Sequence, residues 1–128
     1  MESIKARAKR LMDCFNLTIG MWEIVDNFQG SVCALCGKKQ KSGKRLATDH
    51  RHSDGLIRGL LCSQCNRLLG KIEGTGWTVG TLVRLIQYIQ TPPAVTALGR
   101  EVFGYAGRVG TKKHRQFLRR AKKKLLRG

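Results

Sequence analysis

Residues 33–70 read CALCGKKQKSGKRLATDHRHSDGLIRGLLCSQCNRLLG, and the spacing inside this stretch decides how the chain is organised. Two C-x-x-C pairs, Cys33/Cys36 and Cys62/Cys65, bracket a 25-residue insert that carries Asp49, His50 and His52, and Asn66 follows the last cysteine. A tetrahedral zinc takes four thiolates, and two short knuckles converging from separate segments supply that geometry. Doubled C-x-x-C spacing is foreign to disulfide scaffolds and suits a reducing compartment, here the cytoplasm. Cys14 stands apart among Leu11, Met12 and Phe15 and reads as a buried packing residue.

Between the knuckles, the basic and turn-rich loop 37–45 gives way to a strand through Arg45–Thr48 that leads into Asp49 and His50. Ser53-Asp54-Gly55 has the composition of a hairpin turn, and Leu56–Leu61 returns as the second strand. Asn66–Ile72 then reads as a helix. Strand, turn, strand and helix in this order allow both histidines and the asparagine to meet at one end of the unit. A zinc-stabilised unit of this kind, flanked by helices, makes the chain an α+β protein.

Working outward, residues 3–15 repeat Ile4, Ala8, Leu11, Met12 and Phe15 at helical spacing. Thr18 is placed to cap a second helix carrying Ile19, Trp22, Val25 and Phe28, with Gly30 as its stop and Trp22 as a core residue. Both helices are expected to cover the zinc unit. Beyond a flexible joint at 74–80, a helix over 81–90 lines up Leu82, Leu85, Ile86 and Ile89, a stripe that reads as core first and as a face for a partner chain second, and Pro92-Pro93 ends it. Residues 99–110 are Gly-rich and read as loop. Thr111 opens a last helix with a narrow seam of Phe117, Leu118, Ala121 and Leu125. One domain of 1–98 with a basic extension of 99–128 is the expected division.

The chain has 25 Lys and Arg against 8 Asp and Glu, a formal charge of +17. Such an excess attracts polyanions, nucleic acid first among them. From Arg100 onward eleven basic side chains face the single Glu101, so ten of the excess charges lie in the extension. Lys44, Arg45, Arg51 and Arg58 near the insert, and Lys112, Lys113, Arg115, Arg119, Arg120 and Lys123 in the last helix, are the candidate nucleic-acid contacts. No apolar run approaches the ~18–20 residues of a membrane span, and no dinucleotide or P-loop fingerprint points to a small-molecule cofactor.

Asp49 and Asn66 offer hard oxygen ligands suited to Mg²⁺, and a histidine beside them titrates near neutrality and can take a proton from water. Base, divalent ion and basic surroundings make the inventory of a phosphodiester-cleaving site. The other reading of the same residues is a non-catalytic zinc module that binds nucleic acid and carries its histidines on the surface.

The run ATDHRHSDGLIRGLLCSQCNRLLG, with NLTIGMWEIVDNFQGSVCALC before it, resembles the phage recombination endonuclease VII family, a zinc-containing branch of the His-Asn-His, ββα-metal nucleases. The resemblance covers about residues 14–95. It implies a ββα-metal nuclease core acting on branched DNA such as Holliday junctions, in a homodimer, within the host cytoplasm. It also implies His50 as general base, Asp49 and Asn66 as ligands of Mg²⁺ or Mn²⁺, and His52 as a second active-site histidine, with Cys33, Cys36, Cys62 and Cys65 on the structural zinc. A nicking or homing-type enzyme acting on duplex DNA belongs to the same superfamily and is the nearest alternative. Two positions depart from the best-known member. Leu69 stands where an acid follows the asparagine by three residues, and Arg51 replaces an acid between the histidines. Glu73 lies one turn beyond Leu69.

Overall fold

The structure is a computed structural model that describes residues 1–41 and 43–127; residue 42 of the basic loop and residue 128 of the extension lie outside it. Ser3 caps the first helix, its Oγ accepting the Ala6 N–H at 3.1 Å, and α1 runs Ile4–Phe15 until Asn16 turns into the left-handed region at φ 54°. Thr18 caps α2, Ile19–Phe28, in the same way, with the Met21 N–H at 3.1 Å. Short polar residues at both starts satisfy amide groups that the helix itself leaves without a partner.

The insert forms β1, Ala47–His50, and β2, Ile57–Leu61, paired antiparallel, and α3, Ser63–Gly74, follows at once. The first strand therefore begins two residues later than expected and includes Asp49 and His50 themselves. The helix begins three residues earlier than expected because Cys62 caps it, its Sγ accepting the Cys65 N–H at 3.4 Å. Arg51–Leu56 closes the hairpin, with Gly55 at φ 80° and Asp54 accepting from Arg51 Nε at 2.9 Å and from the Leu56 N–H at 3.1 Å.

Leu11, Leu17, Trp22, Leu46, Leu60 and Leu61 make one buried cluster with Cys33 and Cys62, so α1 and α2 lie over the knuckles and the hairpin as anticipated. Arg7 joins them as a buried cation: its guanidinium lies 4.8 Å over the Trp22 ring. Burial, and then the charge of Arg45, hold its pKa below the usual arginine range. Cys14 is exposed, contrary to expectation. The covered seam of α1 runs Arg7, Leu11, Phe15 at intervals of four, and Cys14 is rotated about 100° from Phe15.

Two strands leave a sheet edge to be satisfied, and Gln29 does it from just beyond α2. Its side-chain amide accepts the Leu60 N–H at 2.9 Å and donates to the carbonyls of Leu60 and Val32, both at 2.9 Å. One side chain thus stands in for a neighbouring strand. A Cβ at Gly59, whose φ is 158°, would lie 3.1 Å from Gln29 Oε1, so that residue has to be small. Gln29→Ala strands these partly buried groups and is expected to destabilise the zinc-loaded protein by about 1–3 kcal/mol. Urea unfolding curves coincident with wild type would refute this role.

Residues Met1–Thr78 form one compact unit and Val79–Gly128 a second. The second contains α4, Val79–Gln90, α5, Pro93–Leu98, and α6, Lys112–Arg127. The Pro-Pro pair ends α4 and also starts α5, Pro93 taking the first helical position, where its missing N–H costs nothing. Among the described residues of this unit no side chain is buried. The α4 stripe expected in the core is therefore open, with Ile86 and Ile89 more than half exposed. The stretch expected as loop over 99–110 folds Tyr105 back onto α6, its ring 5.3 Å from Phe117 and 5.1 Å from His114. That contact covers part of the narrow seam.

Candidate active site

The four cysteines come together. Their Sγ atoms all lie within 4.8 Å of one another, and Cys36 and Cys62 are 3.9 Å apart. Zn–S bonds of about 2.3 Å in a tetrahedron require sulfur–sulfur edges of about 3.8 Å, so the donor set fits zinc in both softness and spacing. The first knuckle turns through Gly37 at φ 70°, with the Gly37 N–H on the Cys33 carbonyl at 2.9 Å. Gln40 ties the loop to the second knuckle by donating to Ser63 Oγ at 2.8 Å. Burial disfavours a charged Cys33, yet backbone hydrogen bonds from Cys36, Cys62 and Leu35 outweigh it and bring the thiol down to about 6. Cys65 is pushed up to about 12, first by its hydrogen bond with Cys62 and then by burial. Four thiols this close cannot all ionise alone, and a dication removes that conflict.

The hairpin carries the candidate catalytic residues Asp49 and His50 on β1. Cα pairing runs Ala47–Leu61, Thr48–Leu60 and Asp49–Gly59, then jumps to His50–Ile57, so Arg58 is the extra residue of a β-bulge. A bulge redirects the side chain that it carries. Here it turns Arg58 onto Asp49: Nε meets Oδ2 at 2.7 Å and Nη2 meets Oδ1 at 3.1 Å, with Asp49 itself buried. The same guanidinium reaches α3, where Glu73 accepts from Nη2 at 2.7 Å and from Nη1 at 3.0 Å. Glu73 stands seven residues after Asn66, two helical turns along the same face. The Glu73 carboxyl is held below its ordinary range, chiefly by the hydrogen bonds from Arg58, with further help from the nearby charges of His52 and His50. Arg58 is correspondingly raised, by Glu73 first and Asp49 second.

His50 sits between two rings, His52 at 5.1 Å and Phe15 of α1 at 5.9 Å. The Phe15 and His50 rings are tilted 55° to one another. Asn66 occupies the first turn of α3, anchored by its N–H on the Cys62 carbonyl at 2.9 Å, and α3 packs against both strands. Leu69 lines a hollow with Asp49, Arg58, Leu61, Ala34 and Leu35. Among the described His, Cys, Asp and Glu side chains, only the cysteines cluster as a ready-made set of three or more ligands. Asp49 and Asn66 are hard donors of the kind Mg²⁺ takes, one or two from protein with water completing the octahedron, so the residues suit that ion in type.

The candidate nucleic-acid contacts divide by what already holds them. Arg58 is shared between two carboxylates, and Arg51 is paired with Asp54. Lys44 and Arg45 are exposed ahead of β1, and Lys112, Lys113, Arg115, Arg119, Arg120 and Lys123 are exposed along α6. Phe15, Gln29 and the clamp formed by Arg58 were not visible as site features in the sequence. The one available signal was the spacing of Glu73 from Asn66.

The model of the recombination endonuclease VII family matches residues 8–91, two thirds of the chain. The chain belongs to the recombination endonuclease VII family. Within that match lie both knuckles, the hairpin, Asn66 and Glu73. Two curated relatives carry the name Gene 59 protein. One, from Mycobacterium phage D29, is 33% identical over 96 residues, which is 73% of this chain and 55% of the relative. The other, from Mycobacterium phage L5, is 37% identical over 84 residues, or 63% of this chain and 48% of the relative. This member of the endonuclease VII family thus spans about half the length of the curated relatives it matches. No solved structure matches it. No helix among the described residues is long and apolar enough to cross a membrane.

Proposed function

We propose that the chain is a metal-dependent DNA endonuclease that hydrolyses phosphodiester bonds in branched DNA, Holliday junctions included. One observation supports this reading: in a chain of the endonuclease VII family, a hairpin and helix beside a four-cysteine cluster carry buried Asp49 next to the paired rings of His50 and His52. Mg²⁺ or Mn²⁺, held by Asp49 and Asn66, would polarise the scissile phosphate and neutralise charge on the leaving oxygen. His50 accepts the proton of the attacking water, and Phe15 and His52 on either side keep its ring oriented for that transfer. His52 would contact the phosphate or steady His50, whose ring lies 5.1 Å away.

The hairpin and zinc unit belong to a nuclease core within 1–98, and the extension 99–128 supplies charge. Exposed lysines and arginines along α6 neutralise backbone phosphates, each contact adding roughly −0.9 to the salt slope on duplex DNA. Such contacts give affinity and position without reading bases. Lys44 and Arg45 do the same beside β1. Each chain carries one such site, so paired cuts across a junction take two copies in a fixed relation, and a homodimer is the simplest arrangement.

The deciding experiment incubates the zinc-loaded protein with Mg²⁺ and matched four-way-junction, nicked, linear and single-stranded DNA. Junction cleavage that is at least about tenfold faster than linear cleavage, and that stops with EDTA, is the expected result; a tenfold ratio corresponds to about 1.4 kcal/mol of discrimination. Equal rates on linear duplex would move the assignment to a nicking enzyme. Binding without any cutting would reduce the chain to a zinc-containing binding module.

A further inference from the structure

The sharing of Arg58 between Asp49 and Glu73 is more than the proposed chemistry requires. Asp49 offers two oxygens, and both are taken by the fork of one guanidinium. A divalent ion needs the same carboxylate. Arg58 is delivered to it by a bulge, an irregularity that a two-stranded hairpin does not need for its own pairing. At its other edge Arg58 already has a second partner, Glu73, at 2.7 and 3.0 Å. In place of an acid at position 69 this chain has Leu69, whose side chain cannot hold an ion, and its nearest substitute, Glu73, faces Arg58.

We propose that Arg58 is a built-in competitor for the Asp49 carboxylate, and that Glu73 is the seat onto which it withdraws when the catalytic metal binds. This rests on the metal-dependent reading above. In the metal-free state the guanidinium neutralises a buried carboxylate that would otherwise be left unpaired at a large desolvation cost. When an ion takes Asp49, Arg58 keeps its two bonds to Glu73, so the cation stays in the site, free along one edge to meet the phosphate that the ion also binds. Arg58 and Glu73 are thus positioning residues. Glu73, half-buried on α3, sets how easily the clamp opens and acts on the metal only through Arg58.

The competitor model predicts an unusual sign. Removing the fork while keeping the charge, as in Arg58→Lys, should tighten metal binding, because an ammonium cannot serve both carboxylates in bidentate fashion. The test measures Mn²⁺ affinity of the zinc-loaded full-length protein without DNA, by electron paramagnetic resonance of free Mn²⁺, with zinc content checking the fold. Arg58→Lys and Arg58→Ala are expected to bind Mn²⁺ roughly tenfold more tightly than wild type, the scale of a charge-assisted bidentate pair. Glu73→Gln should bind it several-fold more weakly, since Arg58 then rests on Asp49 alone, and the same change in an Arg58→Ala background should do almost nothing.

Unchanged or weaker binding in Arg58→Lys overturns the competitor. An equal loss from Glu73→Gln in both backgrounds overturns the route through Arg58 and makes Glu73 a direct ligand. Should both Arg58 variants lose their zinc, Glu73→Gln decides alone, and wild-type affinity there overturns the proposal. A wild-type protein that binds no Mn²⁺ removes the metal-dependent reading and this proposal together, whereas wild-type binding and cutting with unmoved variants removes this proposal only.

Discussion

His50→Ala is expected to lose at least about 10²–10⁴-fold in cleavage rate, the range of a positioned general base, while DNA affinity changes little. The two effects should separate if, as proposed, the imidazole acts on water and exposed cations hold the substrate. The exposed cations, Lys44 and Arg45 near the hairpin and the run along α6, are the proposed phosphate contacts. His50 is half-buried against Phe15 and His52, so alanine leaves a gap on the hairpin surface but breaks no hydrogen bond of the fold. A rate assay at saturating Mg²⁺, run beside a binding titration on the same junction, checks both halves. Cleavage at the wild-type rate would remove His50 as the base. A parallel loss of binding would make it a structural histidine.

The parts of this site that could be read from sequence are those whose chemistry depends on local spacing. Two C-x-x-C pairs can form knuckles whatever surrounds them, and a Ser-Asp-Gly turn between apolar runs makes a hairpin by its own backbone preferences. Asp49 and His50 follow, because they sit on that hairpin. Arg58 did not follow. Its position in β2 suggested a free cation for DNA, and only the slipped pairing between Asp49–Gly59 and His50–Ile57 turns it inward onto a carboxylate. Register is a long-range property, and nothing in the run Ile57-Arg58-Gly59 announces the slip. Gln29 was hidden for the same reason: its partner Leu60 is 31 residues away. Cys14 and the α4 stripe were misread for another reason. Apolar periodicity reports which face of a helix can be covered and not whether anything covers it: Cys14 falls outside the seam of Arg7, Leu11 and Phe15, and no described side chain of Val79–Gly128 is buried.

Cys62→Ser is expected to unfold the zinc unit as well as silence it. The argument turns on magnitudes. The buried cluster of Met1–Thr78 holds six apolar side chains and two of the four clustered cysteines, Cys33 and Cys62. Structural zinc contributes about 10–16 kcal/mol in small zinc domains, against a total stability of about 5–15 kcal/mol for an ordinary domain. A core this small cannot absorb that loss. Serine is a good choice of replacement because its hydroxyl can still cap α3, as the Cys62 thiol does by accepting from the Cys65 N–H. The cap is kept and the thiolate is not, so what the variant reports is the metal. Zinc content should fall from one per chain to well below it, the hairpin and α3 should lose protection from hydrogen exchange, and cleavage should disappear. Chelation of the wild type should give the same result and readdition of zinc should reverse it, because chelation takes the metal and leaves all four thiols in the chain. Cys14→Ser supplies the control: that thiol is exposed, contacts no knuckle, and should leave zinc, fold and rate unchanged. A Cys62→Ser protein that stays folded and cuts DNA without zinc would show that the helices over the hairpin hold the site by packing alone.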